Sequence, residues 1–163
     1  MKDVIEIRIY SEEFKDEIID LIVGIQQREF SIPITAADQP DLSNIPGFYQ
    51  TNRGNFWIAL YNGKIVGTIA LINIGNNQAA LRKMFVDRDF RGSRFTTAPL
   101  LLKGLFDWAY ENNFKEIYLG TTPAFLAAHR FYEKHGFIKI DRSALPREFP
   151  VMKVDQIFYK YNL

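Results

Sequence analysis

Leu81-Arg82-Lys83-Met84-Phe85-Val86-Asp87-Arg88-Asp89-Phe90-Arg91-Gly92-Ser93-Arg94-Phe95-Thr96-Thr97 is the stretch whose reading decides the fold. It runs from a strand-like apolar segment, through a charged turn, into a helical pattern. Beyond it, Ala98, Leu101, Leu102, Leu105, Phe106 and Ala109 recur at the i, i+3, i+4, i+7 spacing of a buried helix face. Pro99 fits the first turn, where its missing N–H costs little, so the helix begins at Thr96 or Thr97. That first turn leaves backbone N–H groups unpaired, and their aligned dipoles favour negative charge. Gly92 allows close approach, Arg91 and Arg94 stand beside it, and Thr96 and Thr97 offer hydroxyls, so a pyrophosphate fits here. An ordinary glycine turn with solvated arginines has the same residues, and the segment alone leaves both readings open.

Working outward, Phe56 to Leu60 and Ile65 to Ile74 read as strands around Asn62-Gly63, a pair suited to a type I′ hairpin turn. A second turn at Gly75-Asn76-Asn77 leads into Gln78 to Val86 and completes a three-stranded meander. Nearer the N-terminus, Ile5 to Tyr10 alternates like a strand. An amphipathic helix then starts after Ser11 and carries Phe14, Ile18, Ile19, Leu21, Ile22 and Ile25. Prolines 33, 40 and 46 make Ser31 to Gly54 a loop or a set of short helical pieces, placed where a substrate lid would lie. Downstream, Glu116 to Leu119 reads as a buried strand. Thr121-Thr122-Pro123 reads as the start of a helix that runs to about His135 and stops at Gly136. Phe137 to Ile140 and Gln156 to Tyr161 complete the strands. No linker or repeat interrupts the chain, so residues 1–163 read as a single mixed α/β domain.

Composition excludes several classes. With 47% apolar residues in 163, the chain can bury a sizeable core, and its longest apolar windows are strand-sized. Met1-Lys2-Asp3-Val4-Ile5-Glu6 turns acidic before a signal-peptide core develops, which places the chain in the cytoplasm. A net charge of +1 supplies no drive toward nucleic acid or an anionic membrane, although a small anion needs only a local patch. Zero cysteines exclude disulfides, a thiol nucleophile and cysteine metal sites, and two histidines six residues apart do not make a zinc cluster, so no metal is expected.

The segment Leu81 to Val86, then Arg91-Gly92, then Leu100-Leu101 resembles the cofactor motif of the GNAT superfamily of acyl-coenzyme A-dependent N-acyltransferases. Arg91 matches the first motif position and Thr97 the hydroxyl position. Arg94 and Thr96 stand where the family has small residues, and both restrict the positive φ that glycine supplies. A second resemblance lies in Ala128-His129-Arg130-Phe131-Tyr132-Glu133-Lys134-His135-Gly136-Phe137, inside the next helix, although Phe125 replaces a common asparagine. Together these cover roughly Phe56 to Ile140 in the right order. The resemblance implies a mostly antiparallel sheet in which the strands Gln78–Val86 and Glu116–Leu119 run parallel and splay apart. It also implies that Met84, Phe85 and Val86 pair with the pantetheine arm as an added strand. The turn Arg91, Gly92, Ser93, Arg94, Phe95, Thr96 and Thr97 would cradle the pyrophosphate of acetyl-coenzyme A.

The implied reaction moves an acetyl group from the thioester to a primary amine by direct attack in a ternary complex. Tyr132, a phenol of usual pKa about 10, is the expected general acid for the leaving thiolate. Many family members carry a glutamate base where this chain has Ala80. Glu29, Asp38 and Asp41 are substitutes by location only, and water-mediated proton removal is an equal alternative. His129 and His135 lack matched partners and read as surface or helix-end residues, Trp57 reads as core, and alternation lets only one of Arg82 and Lys83 face the cleft. The missing base and altered loop also fit a non-catalytic acyl-coenzyme A binding or sensing domain, and the core pattern alone fits an unrelated α/β interaction module. The acceptor, a small molecule or a peptide amine, is expected to contact Gln26 to Tyr49. Strand Gln156 to Tyr161 is free to pair within the chain or across a homodimer.

Overall fold

The computed structural model describes residues 4–163; Met1–Asp3, the beginning of the acidic N-terminus, lie outside the described residues. One seven-stranded sheet organises them, with β1 (Glu6–Ile9), β2 (Asn55–Tyr61), β3 (Lys64–Gly75), β4 (Gln78–Val86), β5 (Glu116–Thr121), β6 (Ile138–Ile140) and β7 (Ile157–Asn162). Their spatial order is β1-β2-β3-β4-β5-β7-β6. Every neighbouring pair is antiparallel except β4 with β5. The expected mixed α/β fold with one parallel pair is what the chain adopts.

Local chemistry explains the meander. Asn62 and Gly63 take φ of 49° and 82°, the left-handed pair of a type I′ turn, and set Tyr61 opposite Lys64. Asn76 and Asn77 do the same at 55° and 58° for the next hairpin, where asparagine tolerates this region better than most residues. Along β2 the side chains alternate between two cores. Phe56, Ile58 and Leu60 meet Ile18 and Ile22 of helix α1 (Lys15–Gly24) and Ile45 of the short helix α2 (Ile45–Phe48). Trp57 and Ala59 face Leu101, Leu102, Leu105 and Ala109 of helix α3 (Thr97–Glu111). Helix α4 (Leu126–Lys134) adds Tyr132 to the edge of this second core. Trp57 is therefore a core residue, edge-on to Trp108.

The parallel pair is short. Only Gln78, Ala79 and Ala80 pair with Glu116, Ile117 and Tyr118, after which β4 and β5 part. A β-bulge accompanies the parting. Thr68 of β3 opposes Phe85 and Ala70 opposes Arg82, so Lys83 and Met84 together face Ile69. Lys83 takes φ of 53°, and the Thr68 hydroxyl donates to its carbonyl at 2.7 Å, fixing the kink.

Several boundaries differ from the sequence reading, each for a visible reason. Helix α1 does not begin directly after Ser11: a 3₁₀ turn Glu12–Phe14 comes first, and the serine hydroxyl bonds the Glu13 carboxylate. The helix then continues through a π-helical turn, Ile25–Glu29. Thr121 does not start α4. It remains in β5, where its carbonyl accepts from Gln156 N–H at 2.9 Å, so the chain turns at Thr122-Pro123 and α4 begins three residues later than expected, at Leu126. Gly136, at φ of 93°, stops it as expected. Strand β7 lies between β5 and β6 of its own chain. Among the described residues no helix is long and apolar enough to cross a membrane.

Gly67 of β3 lets α3 approach the sheet closely: a Cβ there would lie 3.0 Å from Leu101 Cδ1, and Leu101 is fully buried. Leu101→Ala is expected to lower the unfolding free energy by roughly 2–5 kcal/mol through lost burial and a residual cavity, read by urea denaturation.

Candidate active site

Where β4 and β5 part, two adjoining hollows form, and Met84, Phe85 and Phe125 line both. The larger is about 690 Å³ and mostly apolar, walled by Val86 of β4, by Leu126 and Phe131 of α4, and by the turn residues Arg91, Gly92, Ser93 and Thr96. Because β4 pairs with β5 only as far as Ala80, the backbone beyond it has an unpaired side on this cleft. Phe125, at the position where an asparagine was expected, packs edge-on to Phe30 at 4.6 Å and to Phe85 at 6.2 Å, and so forms an aromatic wall between the hollows.

The turn is built around Arg91. Its Nε donates to the Val86 carbonyl at 2.9 Å, and its two terminal nitrogens reach the Glu29 carboxylate at 2.5 and 2.7 Å. Glu29 thus holds the guanidinium as a phosphate would, in the bidentate geometry this group favours. Gly92 at φ of 92° has open space where a side chain would project. Thr96 adopts φ of 52° despite its branched side chain, so the loop keeps its left-handed step without glycine.

Three expected cofactor residues are turned away from this cleft. The Thr97 hydroxyl donates to the Phe90 carbonyl at 2.9 Å, and the residue is buried, so it ties the turn to α3. Phe95 packs on Tyr61 and Phe90, and the Arg94 guanidinium lies over the Phe95 ring at 4.9 Å. These three stiffen the loop from behind. Met84, Phe85, Val86, Arg91, Gly92, Ser93 and Thr96 do line the cleft.

The smaller hollow, about 120 Å³, collects the polar groups: Gln26, Gln39, Arg82, Lys83, Tyr132 and Asp155. Tyr132 is 5% exposed and carries no side-chain hydrogen bond, yet no fully buried side-chain oxygen or nitrogen lacks a partner among the described residues. Its phenol oxygen therefore opens on the hollow. Burial raises its pKa, with Tyr159 adding to the effect, which keeps the proton on oxygen at neutral pH.

Arg82 and Lys83 both line this hollow, although strand alternation permits only one. The bulge is the reason: an extra residue at Lys83 breaks the two-residue period. Lys83 is already engaged, donating to Gln39 Oε1 at 2.5 Å and lying 3.4 Å from Asp41, which also accepts from the Tyr49 hydroxyl at 2.5 Å. Burial lowers the Lys83 pKa against the raising effect of Asp41. Arg82 has no carboxylate within ion-pair reach among the described residues; its Nη2 lies 3.3 Å from Met152 Sδ and its guanidinium 5.7 Å from the Phe48 ring.

The carboxylates suggested by the sequence are all committed elsewhere: Glu29 to Arg91, Asp38 to the Thr35 hydroxyl and N–H, Asp41 to Tyr49 and Lys83. Ala80 is buried among Ile74, Tyr118, Phe149 and Phe158. His129 spends Nε2 on the Thr122 carbonyl at 2.9 Å, while His135 ends α4 at the rim of the large cleft. The loop between β6 and β7 supplies Phe149, Pro150, Met152, Val154 and Asp155 to the small hollow. Sequence reading missed it, because Pro146 and Pro150 marked it only as a loop; Asp155 just before a predicted strand was its one available signal. Among the described residues no group of three or more histidines, aspartates or glutamates is placed to hold a metal.

Comparison with known proteins agrees with this geometry. Residues 19–137 match the profile described as "Acetyltransferase (GNAT) family". N-acetylaspartate synthetase of Xenopus tropicalis is 37% identical over 106 residues, covering 64% of this chain and 38% of that protein, so the chain spans well under half the length of this relative. A GNAT-family acetyltransferase of Staphylococcus aureus Mu50 is 43% identical, with a TM-score of 0.93 over 97% of this chain and 98% of that one. An acetyltransferase of Streptococcus agalactiae 2603 is 33% identical, with a TM-score of 0.93 over 98% of each chain. An arginine-bearing turn at a helix start, a parallel strand pair that splays beside it and a matching profile over most of the length converge: the chain belongs to the GNAT family of acetyltransferases.

Proposed function

We propose that residues 1–163 act as one catalytic domain that transfers the acetyl group of acetyl-coenzyme A to the primary amine of a small acceptor carrying a carboxylate. The observation that carries this reading is the meeting of two unlike hollows at Met84, Phe85 and Phe125: one has an arginine turn for phosphates, the other an unpaired Arg82 beside the Tyr132 phenol. The large cleft suits the donor. Arg91 and the N–H groups around Gly92 and Ser93 would hold the pyrophosphate, and the open side of β4 at Met84–Val86 would take the pantetheine amides by strand addition. The thioester then falls at the junction, within reach of both hollows.

The small hollow suits the acceptor. Arg82 offers a planar, permanently charged fork that a carboxylate satisfies in bidentate fashion, with Met152 and the Phe48 ring beside it. An amino acid such as aspartate has the size and charge for this space, and the Xenopus tropicalis relative bears the name N-acetylaspartate synthetase. Attack by the amine is direct, Tyr132 gives its proton to the departing sulfur, and no covalent enzyme intermediate is required. The cytoplasm is the compartment proposed for this reaction.

Thiol release from acetyl-coenzyme A with L-aspartate, L-glutamate, spermidine and a lysine peptide tests the reading. Turnover is expected with the acidic amino acids; preference for spermidine or the peptide, or cofactor binding with no turnover at all, overturns it. Arg82→Ala should raise the acceptor KM at least tenfold with coenzyme A affinity unchanged, in line with roughly 1.5–3 kcal/mol for hydrogen bonds to a charged group. Tyr132→Phe should lower kcat by about 10²-fold with little change in KM.

The donor side has its own test by calorimetry. Arg91→Ala should weaken coenzyme A binding by roughly 1.5–3 kcal/mol. Glu29→Gln should tighten it, because the phosphate no longer competes with a carboxylate for the same guanidinium.

A further inference from the structure

The small hollow contains one acid that neither the family profile nor the relatives' names assign. Asp155 stands just before β7, where Gln156 N–H bonds the Thr121 carbonyl and so fixes the residue against the end of β5. It is 9% exposed and lines the hollow with Tyr132, Phe85 and Arg82. One carboxylate oxygen, Oδ2, accepts from Met152 N–H at 2.9 Å, which orients the group; Oδ1 takes no hydrogen bond from the described residues. Gly120 makes the room for it: a Cβ on that residue would lie 2.6 Å from Oδ2, so a side chain there would expel the carboxylate. We propose that Asp155 is the catalytic base of this enzyme, binding the acceptor ammonium and taking its proton, in place of the glutamate that Ala80 replaces.

This rests on the acetyl-transfer reading above. Burial raises the Asp155 pKa, partly opposed by the Met152 N–H and by the charges of Arg82 and Lys83 on β4 and Arg142 in the short turn after β6. Of the other elements packed on it, β5 brings Gly120 and β7 brings Phe158, neither charged, and α4 brings the Tyr132 phenol to the same hollow. A carboxylate in such a place is a better base than one in water. An acceptor bound with its carboxylate on Arg82 and its ammonium on Asp155 has each charge met by an opposite one.

The protons balance as follows. The ammonium gives its first proton to Oδ1 of Asp155, which releases it to solvent, and the freed lone pair attacks the thioester carbon. As the C–N bond forms and the C–S bond breaks, a second proton leaves nitrogen for Asp155. Sulfur takes the Tyr132 phenol proton, and the phenolate recovers one from Asp155 through water. Ammonium and thioester thus yield amide, thiol and one free proton.

Asp155→Asn keeps an oxygen for the Met152 N–H and removes only the basicity. With L-aspartate, or whichever amine of the panel turns over best, this variant should lose at least about 10²-fold in kcat while keeping wild-type coenzyme A affinity. Wild-type kcat/KM should fall as pH drops through the Asp155 pKa, and that acidic limb should be missing from the variant. Activity within a few-fold of wild type, or an unchanged acidic limb, overturns the assignment. A carboxyl carbon-13 titration of aspartate-labelled protein, with Asp155 identified as the signal absent from Asp155→Asn, reads the group without turnover. Its midpoint should lie above the ordinary aspartate value of about 3.9 and fall when L-aspartate binds. If no amine is acetylated, the activity reading fails, and this titration judges Asp155 by itself: an ordinary midpoint, or one unmoved by L-aspartate, overturns the base.

Discussion

The bulge at Lys83 is the constraint on which the rest of this structure depends. Two residues of β4 face one residue of β3, the strand bends, and pairing with β5 lasts for only three residues. The bend lies just past the three paired residues, where β4 and β5 part and both hollows open. A non-glycine residue at positive φ costs on the order of 1–3 kcal/mol. The Thr68 hydroxyl on the Lys83 carbonyl and the Lys83 ammonium near Asp41 and Gln39 help to offset this cost. The lysine that strains the backbone is thus tied down by its own side chain.

The same bend sorts the chemistry. Upstream of it, β4 carries buried alanines that seat the parallel pair; at it, Arg82 and Lys83 both turn toward the smaller hollow; past it, Met84, Phe85 and Val86 face the large cleft. Polar and apolar surfaces are thereby separated within a few residues of one strand. At the boundary Phe125 fills the position of a polar side chain with a ring against Phe30 and Phe85.

Much of this was legible in the sequence, and the exceptions have physical causes. Asn62-Gly63 and Asn76-Asn77 announced their turns because few residue types tolerate left-handed backbone, and the apolar face of α3 announced its helix by period. Thr121-Thr122-Pro123 misled, because the capping signature is local while the bond from Gln156 that keeps Thr121 in its strand comes from 35 residues away. Thr97 misled likewise: a hydroxyl at a helix start suits a phosphate, but the Phe90 carbonyl claims it first. The bulge left no trace in composition, so alternation assigned Arg82 and Lys83 to opposite faces. Asp155 left only its position before a predicted strand as a signal, since its place in the hollow is fixed by contacts with Met152 and Gly120.

The π-helical turn at the end of α1 links the two hollows mechanically. Gln26 lies on it and bonds Gln39 in the smaller hollow at 2.8 and 3.2 Å, while Glu29, three residues on, grips Arg91 in the larger one. Gln39 in turn receives the Lys83 ammonium, so a single run of contacts passes from the Arg91 turn, through Glu29 and Gln26, to the bulge. The five residues Ile25–Glu29 thus serve both hollows at once, with Gln26 lining the smaller and Glu29 the larger.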